Sequence, residues 1–356
     1  MNKLFDGKRL LITGGTGSLG KTLVRRLLSG EFGDPAKVIV YSRDEAKQHF
    51  MRVEYLNLKA ATDEIIYRNF QQKLEFRIGD VRDFHSVASV LREVDIVFMA
   101  AALKQVPTCE YFPFQAVNTN IKGAENIVRA IQEHNLPIET VVGISTDKAC
   151  MPVNVMGMTK ALQERILIQG NMRCPGTRFV CVRYGNVLAS RGSVIPLFHS
   201  QIQAGGPVTV TTEAMTRFLL SLEDAVDTVI AAVKEALPGE TLVPRAPSAL
   251  VLNVAKALIE DRDIKIDVVG IRPGEKTHEI MISDVEAPYA VQRGRWYGIL
   301  SMLPEVRGDD AVLEPVLTGE YSSGDEVLNL EDTISLLKEQ CLMLGDLNPE
   351  GTEFLR

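Results

Sequence analysis

Residues 8–20 read K-R-L-L-I-T-G-G-T-G-S-L-G, and this stretch decides the fold. Lys8 to Thr13 is a short apolar strand, and Leu19, Leu23, Leu27 and Leu28 recur behind it at helical spacing. Between them lie Gly14, Gly17 and Gly20. Strand, glycine turn and helix together make a phosphate-binding βα unit. Glycines let the backbone approach a pyrophosphate, and the helix N-terminus offers unpaired N–H groups and a positive dipole end. Glycine spacing alone is a weak signal, since a tight turn produces it too, but here both flanks are right. Gly14, Thr16, Gly17, Ser18, Leu19 and Gly20 are therefore candidate dinucleotide ligands.

Downstream, strands and helices alternate up to Tyr184. The strands are expected at Lys37–Tyr41, Glu75–Ile78, Val94–Met99, Thr140–Ser145 and Arg178–Arg183, with helices at 44–58, 114–134 and 155–168. That alternation predicts an α/β fold, a Rossmann-type doubly wound parallel sheet. The second strand ends in Ser42-Arg43-Asp44. An acidic residue there usually holds a ribose 2′-hydroxyl, but a guanidinium suits a 2′-phosphate, so Ser42 and Arg43 favour NADP over NAD. The alternative is that Arg43 only pairs with Asp44 or Glu45. In G-D-V-R-D, Asp80 is placed to accept from the adenine amino group with Val81 against the ring, while Asp83 suits a helix N-cap. Small residues Ala100, Ala101 and Ala102 let a cofactor lie against the backbone. Lys59–Lys73 is polar, and no element is assigned to it.

Composition is ordinary for a globular protein: 356 residues, 46% hydrophobic and 24% charged. A net charge of −7 argues against a general nucleic-acid or membrane-surface role. The five cysteines show neither metal-ligand nor disulfide-framework spacing, which suits reduced thiols in the cytoplasm. The scattered histidines show no ligand pattern, so no metal is expected. No apolar run approaches the ~20 residues of a membrane span.

The chemistry is concentrated in S-T-D-K-A-C-M-P-V-N-V-M-G-M-T-K, residues 145–160. A hydroxyl pair, a carboxylate and an amine stand on consecutive residues at the end of a parallel strand, where open α/β sheets place ligands. After Tyr184 the texture becomes irregular. G-N-V-L-A-S-R-G-S-V-I-P, a glycine- and threonine-rich 204–212 and G-I-R-P-G-E-K-T-H-E suggest a smaller, discontinuous domain for substrate. Arg191, Arg217 and Arg272 are its candidate diphosphate ligands. The expected division is 1–185 for cofactor with a returning segment near 214–240, then 186–213 and 241–330 for substrate, then a C-terminal helix and tail at 331–356.

Taken in order, T-G-G-T-G-S-L-G, Y-S-R-D-E, G-D-V-R-D, A-A-A-L-K-Q-V-P, S-T-D-K, R-Y-G-N-V and R-P-G-E-K resemble the extended short-chain dehydrogenase/reductase superfamily. As a set, covering about Lys3 to Ser323, they resemble its bacterial UDP-N-acetylglucosamine 4,6-dehydratases. The resemblance implies a cytoplasmic enzyme that forms a UDP-4-keto-6-deoxy sugar by transient C4 oxidation, loss of water across C5/C6 and hydride return to C6. It implies Lys148 as the base at C5, Asp147 as the acid for the C6 hydroxyl, Thr146 on the C4 oxygen and Lys160 on the nicotinamide ribose. Lys104, Asn118, Ser145 and Tyr184 join the cofactor set. Lys104, Asn186, Val194 and Glu275 join the arginines around a UDP-sugar. A homo-oligomer, dimer or hexamer, is implied as well.

The sequence departs from the pattern where the superfamily's catalytic Tyr belongs, four residues before Lys160, because Met156 stands there. A thioether relays no proton. Some members of a C5-inverting subgroup of the dehydratases look similar in carrying Met, which implies an inverting enzyme. Gln105 stands where related sequences often have His, and the 59–73 stretch looks longer than the usual connection, as an added interface or lid would be. Chemistry further predicts a lowered pKa for Lys148 and a raised one for Asp147. Three activities stay in contention: a dehydratase, inverting or retaining; a C4 epimerase, which needs no C5 base; and a silent NADP-binding sensor.

Overall fold

The computed structural model describes residues 3–57, 60–188, 193–272, 274–308 and 314–346. The first half alternates as the periodicity requires. Strand β1 (Arg9–Thr13) leads to helix α1 (Ser18–Leu28), then β2 (Lys37–Ser42), α2 (Glu45–Leu56) and α3 (Ala60–Lys73). The polar stretch left unassigned is thus mostly helical. Strand β3 (Leu74–Ile78), α4 (Phe84–Leu91) and β4 (Ile96–Met99) follow. Next come α5 (Val106–Tyr111), α6 (Pro113–Ala116) and α7 (Gly123–His134), then β5 (Thr140–Ile144), α8 (Val155–Arg173) and β6 (Arg178–Val182). One wide π-type turn, Val117–Lys122, joins α6 to α7 and carries Asn118 and Asn120.

These strands lie in one nine-stranded sheet. Its order is Ala290–Arg293, Trp296–Ile299, Thr241–Pro244, β6, β5, β4, β1, β2, β3. The pairs from Thr241–Pro244 to β3 are parallel, and the 290–299 hairpin adds antiparallel. This is the doubly wound arrangement, with order reversing between β1 and β4. The sheet therefore continues past residue 185: three strands from the region assigned to substrate complete its far edge. Its strands are apolar on both faces because helices cover both. One face packs Leu23, Leu27, Val226 and Val229 against Ile12, Phe98 and Val142; the other packs Ile127, Val128 and Leu167 against Leu11, Val97 and Val141. The returning helix is Leu222–Glu235, packed beside α1 with Arg26 paired to Asp227.

The smaller lobe is built on a four-stranded sheet ordered Val327–Leu328, Ser248–Leu250, Thr216–Leu220, Asn186–Val187. Its own core includes Ile195, Phe198, Val210, Leu219, Val254 and Leu258. The last helix, Leu330–Glu339, closes that core through buried Leu337. Among the described residues no helix is long and apolar enough to cross a membrane.

Candidate active site

The site is assembled where β5 ends. Residues 145–147 continue the ladder after the strand stops: Ser145 N–H donates to Val182 O at 2.7 Å and Asp147 N–H to Tyr184 O at 3.0 Å. A single helical turn, Asp147–Ala149, then reverses the chain, with Thr146 as its N-cap. Asn154 caps α8 by accepting from Gly157 N–H at 2.8 Å. Gly157 is required by packing, since a β-carbon there would collide with the Lys148 carbonyl. The start of α8 is thereby seated directly on the Lys148 turn.

Asp147 is fully buried. Its Oδ1 accepts from Thr146 Oγ1 at 2.8 Å, from Lys148 N–H at 2.8 Å and from Lys148 Nζ at 3.1 Å. Its Oδ2 is buried without a partner. The segment leading into strand Ile280–Ile282 supplies Glu279, also buried, whose Oε1 lies 3.2 Å from Lys148 Nζ and 3.8 Å from Arg217 Nε. Glu279 is braced: its N–H donates to Ser323 Oγ at 2.9 Å, and Ser323 Oγ lies 2.7 Å from Thr216 Oγ1. Glu279 Oε2 has no partner. The amine of Lys148 thus bridges two carboxylates. Burial pulls its pKa down, but Asp147 and Glu279 outweigh that and hold it above the ordinary lysine value. This corrects the expectation of a lowered pKa: the amine is an ammonium in the resting site. Glu279 was missed because its only sequence signal is the closing E of R-P-G-E-K-T-H-E, far along the chain.

Met156 is buried in an apolar cluster with Cys109 and Ala116, against Leu103, Val106 and Val155. It fills space and exchanges no proton. Lys160 is buried, and its Nζ donates to Ile144 O at 2.6 Å and Gln163 Oε1 at 2.9 Å. Burial pushes its pKa down to about 8, against the opposing pull of Glu164. Ser145 does not join this group through its side chain, because its hydroxyl donates to Glu164. Glu164 and Glu286 together enclose Arg183, with contacts of 2.7 and 2.9 Å in a buried triad behind the site. Burial raises Glu286, but Arg183 holds it down to about 2.

The nucleotide elements meet at the switch point. Gly14 has φ +68°, and a β-carbon on it would come within 2.7 Å of the Ala101 backbone. That close approach brings the first glycine turn against Ala100, Ala101 and Ala102, all partly exposed. Gly17 caps α1 without a side chain, so the first-turn N–H groups around Ser18, Leu19 and Gly20 meet the crevice unscreened. Thr16 is buried in the turn. At the end of β2, Ser42 Oγ accepts from Gln48, and Arg43 is 59% exposed with Asp80 Oδ2 4.0 Å away. Asp44 is committed elsewhere, capping α2 at Lys47 N–H and pairing with Lys47 Nζ at 2.8 Å. Asp80 is gripped by Arg82 at 2.6 Å, so a ligand amine would share it with a guanidinium. Val81 is buried, with its carbonyl held by Asn126 at 2.8 Å. Asn118 is half-buried in the π turn, while Asn120 faces inward and clamps Leu103 and Thr159. Tyr184 is buried beneath the turn, and Lys104 is exposed. These features fit a dinucleotide.

Around the expected substrate cleft, the structure leaves buried polar atoms open: Asn186 Oδ1, Ser193 Oγ and Thr212 Oγ1 have no partner. Val194 opens a helix (Val194–Gln203) behind uncapping Ser193. Arg217 is largely buried and donates to Thr216 O and Thr277 O at 2.7 and 3.2 Å. Arg272 is exposed; its backbone N–H donates to Glu275 Oε2 at 3.4 Å, and its carbonyl accepts from Glu275 N–H at 3.1 Å. That R-P-G-E-K loop docks on the catalytic segment, Asn154 Nδ2 donating to Gly274 O at 2.8 Å and Lys276 Nζ to Cys150 O at 2.8 Å. Arg191 lies outside the described residues.

Known proteins share this fold. The family model for "polysaccharide biosynthesis protein" matches residues 10–300. The chain is 44% identical over 301 residues to a Rickettsia conorii protein named UDP-glucose 4-epimerase, covering 83% of this chain and 84% of that one. It is similar to the solved structure of Pen from Bacillus thuringiensis, at 33% identity and a TM-score of 0.84, covering 95% of this chain and 99% of the other. It also shares its fold with DesIV, a dTDP-glucose 4,6-dehydratase from Streptomyces venezuelae solved with NAD and TYD bound. There the TM-score is 0.62 at 22% identity, over 76% and 86% of the two chains. Sheet order, glycine turn, the S-T-D-K segment and these likenesses together make the chain a member of the polysaccharide biosynthesis protein family of extended short-chain dehydrogenases/reductases.

Proposed function

We propose that this protein is a UDP-N-acetylglucosamine 4,6-dehydratase that inverts C5 and makes a UDP-4-keto-6-deoxy-HexNAc for surface polysaccharide synthesis. The observation that carries it is the buried Asp147 carboxylate beside the Lys148 amine, an acid and a base on adjacent residues. Removing a C5 proton and expelling the C6 hydroxyl needs such a pair.

Residue roles follow from the contacts. When bound, the nicotinamide cofactor supplies the oxidant at C4 and the reductant at C6. The exposed Arg43 and the committed Asp44 favour NADP. With Met156 inert, Thr146 takes over the missing tyrosine's task. Its hydroxyl already donates to Asp147 Oδ1, so a proton leaving the C4 hydroxyl passes through Thr146 to Asp147. Asp147, protonated in this way, then delivers that proton to the departing C6 hydroxyl. Lys160 orients the ribose with a side chain that α8 and Ile144 hold rigid. Inversion is supported by the resemblance to Met-bearing dehydratases. A cytoplasmic homo-oligomer, dimer or hexamer, belongs to this reading; exposed Tyr111, Phe112, Phe114, Met158 and Leu162 offer apolar area to a second copy.

The name carried by the Rickettsia relative favours a second reading, a C4 epimerase. Incubation with UDP-N-acetylglucosamine in deuterated water, read by mass spectrometry and proton NMR, separates the two. Loss of one water with deuterium at C5 and an L-configured ring is expected. A C4 epimer that keeps its C6 hydroxyl would replace the dehydratase with the epimerase.

A further inference from the structure

We propose that Glu279 is the proton acceptor that turns Lys148 into a free base. The inference rests on the dehydratase reading and adds a residue to it. An ammonium cannot remove a proton, and Lys148 bridges carboxylates at 3.1 and 3.2 Å. Its proton must move before C5 is attacked. Asp147 cannot take it, because in the dehydration it already holds the proton destined for the C6 hydroxyl. Glu279 is the other carboxylate on the amine. It is 2% exposed, held by Ser323 and Thr216, and its second oxygen is buried without a partner, open to carry a proton. A carboxylate shut away from water in this way is costly unless it is paired. The charged groups facing the amine are Asp147, Glu279 and Arg217, and Arg217 lies beside the Glu279 oxygen.

The step balances within the site. A Lys148 N–H bond breaks as a Glu279 O–H bond forms. The amine then takes the C5 proton, and the C–H electron pair moves toward the C4 ketone as an enolate. Asp147 gives its proton to the C6 oxygen, the C6–O bond breaks, and water leaves. Once the hydride has returned to C6, C5 takes a proton from solvent water on the face opposite Lys148. The hydroxide left behind is neutralised by the Lys148 ammonium, and the proton on Glu279 returns to the amine and restores the resting charges. Glu279 acts on the reaction through its contact with Lys148, so it is a positioning residue with a proton-holding task.

The test is Glu279→Gln, which keeps the size and an acceptor oxygen but holds no additional proton. NADP-loaded enzyme is mixed with UDP-N-acetylglucosamine in deuterated water. Two signals are followed: absorbance of the reduced nicotinamide, which reports C4 oxidation, and deuterium at C5 with water loss. Expected is C4 oxidation within about threefold of wild type, with C5 exchange and water loss down about 10²-fold or more, the usual worth of a proton-transfer group. Glu279→Asp should restore part of the C5 exchange. A merely electrostatic role predicts the opposite sign, since removing one carboxylate favours the free amine and speeds C5 exchange near neutral pH. Unchanged or faster C5 exchange in Glu279→Gln therefore overturns the proposal, as does equal loss of C4 oxidation and C5 exchange, which would mark a structural role. Wild-type enzyme that oxidises C4 but neither exchanges C5 nor loses water removes the dehydratase reading itself.

Discussion

Replacing Thr146 by Val removes one hydroxyl and keeps the shape. In the structure that hydroxyl donates to Asp147 Oδ1 at 2.8 Å, and in the proposed mechanism it links the C4 oxygen to the carboxylate. If Thr146 relays the proton, the loss is that of a general acid–base step, about 10²–10⁴-fold, or about 2.7–5.5 kcal/mol of barrier. The stability cost is much smaller. Asp147 Oδ1 keeps its contacts to Lys148 N–H and Nζ at 2.8 and 3.1 Å. A single lost hydrogen bond with the acceptor still satisfied costs about 1 kcal/mol, worth a few degrees in melting temperature at most. The assay is a single turnover of NADP-loaded enzyme with UDP-N-acetylglucosamine, recording nicotinamide reduction beside a thermal melt. Thr146→Ser should stay within about tenfold of wild type. A Val variant that reduces the cofactor at the wild-type rate would refute the relay, and one that melts far below wild type would show that Thr146 chiefly holds the turn.

Arg43→Ala should weaken NADP binding by about 10–100-fold, as loss of a charge-assisted phosphate contact does, while leaving NAD binding near its original value; calorimetric titration with each dinucleotide checks this. Arg183→Met strands two buried carboxylates and should destabilise the fold by about 3–5 kcal/mol, read by urea unfolding. In the wild type, Glu286 has its pKa depressed from 4.5 to about 2, so its contribution is present above the ordinary carboxylate pKa and is lost as pH falls toward 2. Unfolding midpoints measured between pH 5 and 2 should drop accordingly, and a flat profile would count against the triad. Gly157→Ala forces the start of α8 away from the Lys148 carbonyl, so C5 exchange should fall more than NADP binding, measured side by side.

The cofactor half was legible because local rules set it. A hydrophobic strand, glycines at the turn and leucines at helical spacing are short-range signals, and Arg43 and the Asp147–Lys148 adjacency lie on the chain itself. What stayed hidden depends on contacts across sequence. Glu279 reaches Lys148 from far along the chain and joins Asp147 in reversing the sign of the lysine's shift, because burial alone would have lowered it. Ser145, a candidate cofactor ligand, donates its hydroxyl to Glu164, a full turn down α8 from Lys160, and that contact across sequence is one no local pattern shows. The 290–299 hairpin has four-residue strands with no distinguishing alternation, so only the pairing with Thr241–Pro244 reveals it as sheet edge. The 114–134 helix was expected as regular. The π turn within it changes which way Asn118 and Asn120 point, and that shift is invisible to a 3.6-residue period.

The charge arrangement bears on dehydratase against epimerase more directly than the overall likenesses do, since both reactions use this fold. An epimerase moves one proton, on and off the C4 oxygen, and the sugar turns over between the two hydrogen transfers. For that task Thr146 with Asp147 is sufficient. A lysine bridging Asp147 and a second buried carboxylate would then be surplus. Taking each such ion out of water costs several kcal/mol, offset only by good pairing. Replacing Lys148 by Met in an epimerase should thus leave C4 chemistry largely intact, and it would expose the cost of the two carboxylates as lost stability. In a dehydratase the same change abolishes deuterium entry at C5 while nicotinamide reduction persists. Lys148→Met therefore divides the two activities at the residue where the structure concentrates its charge: retained C4 epimerisation would support the former, and arrest after C4 oxidation the latter.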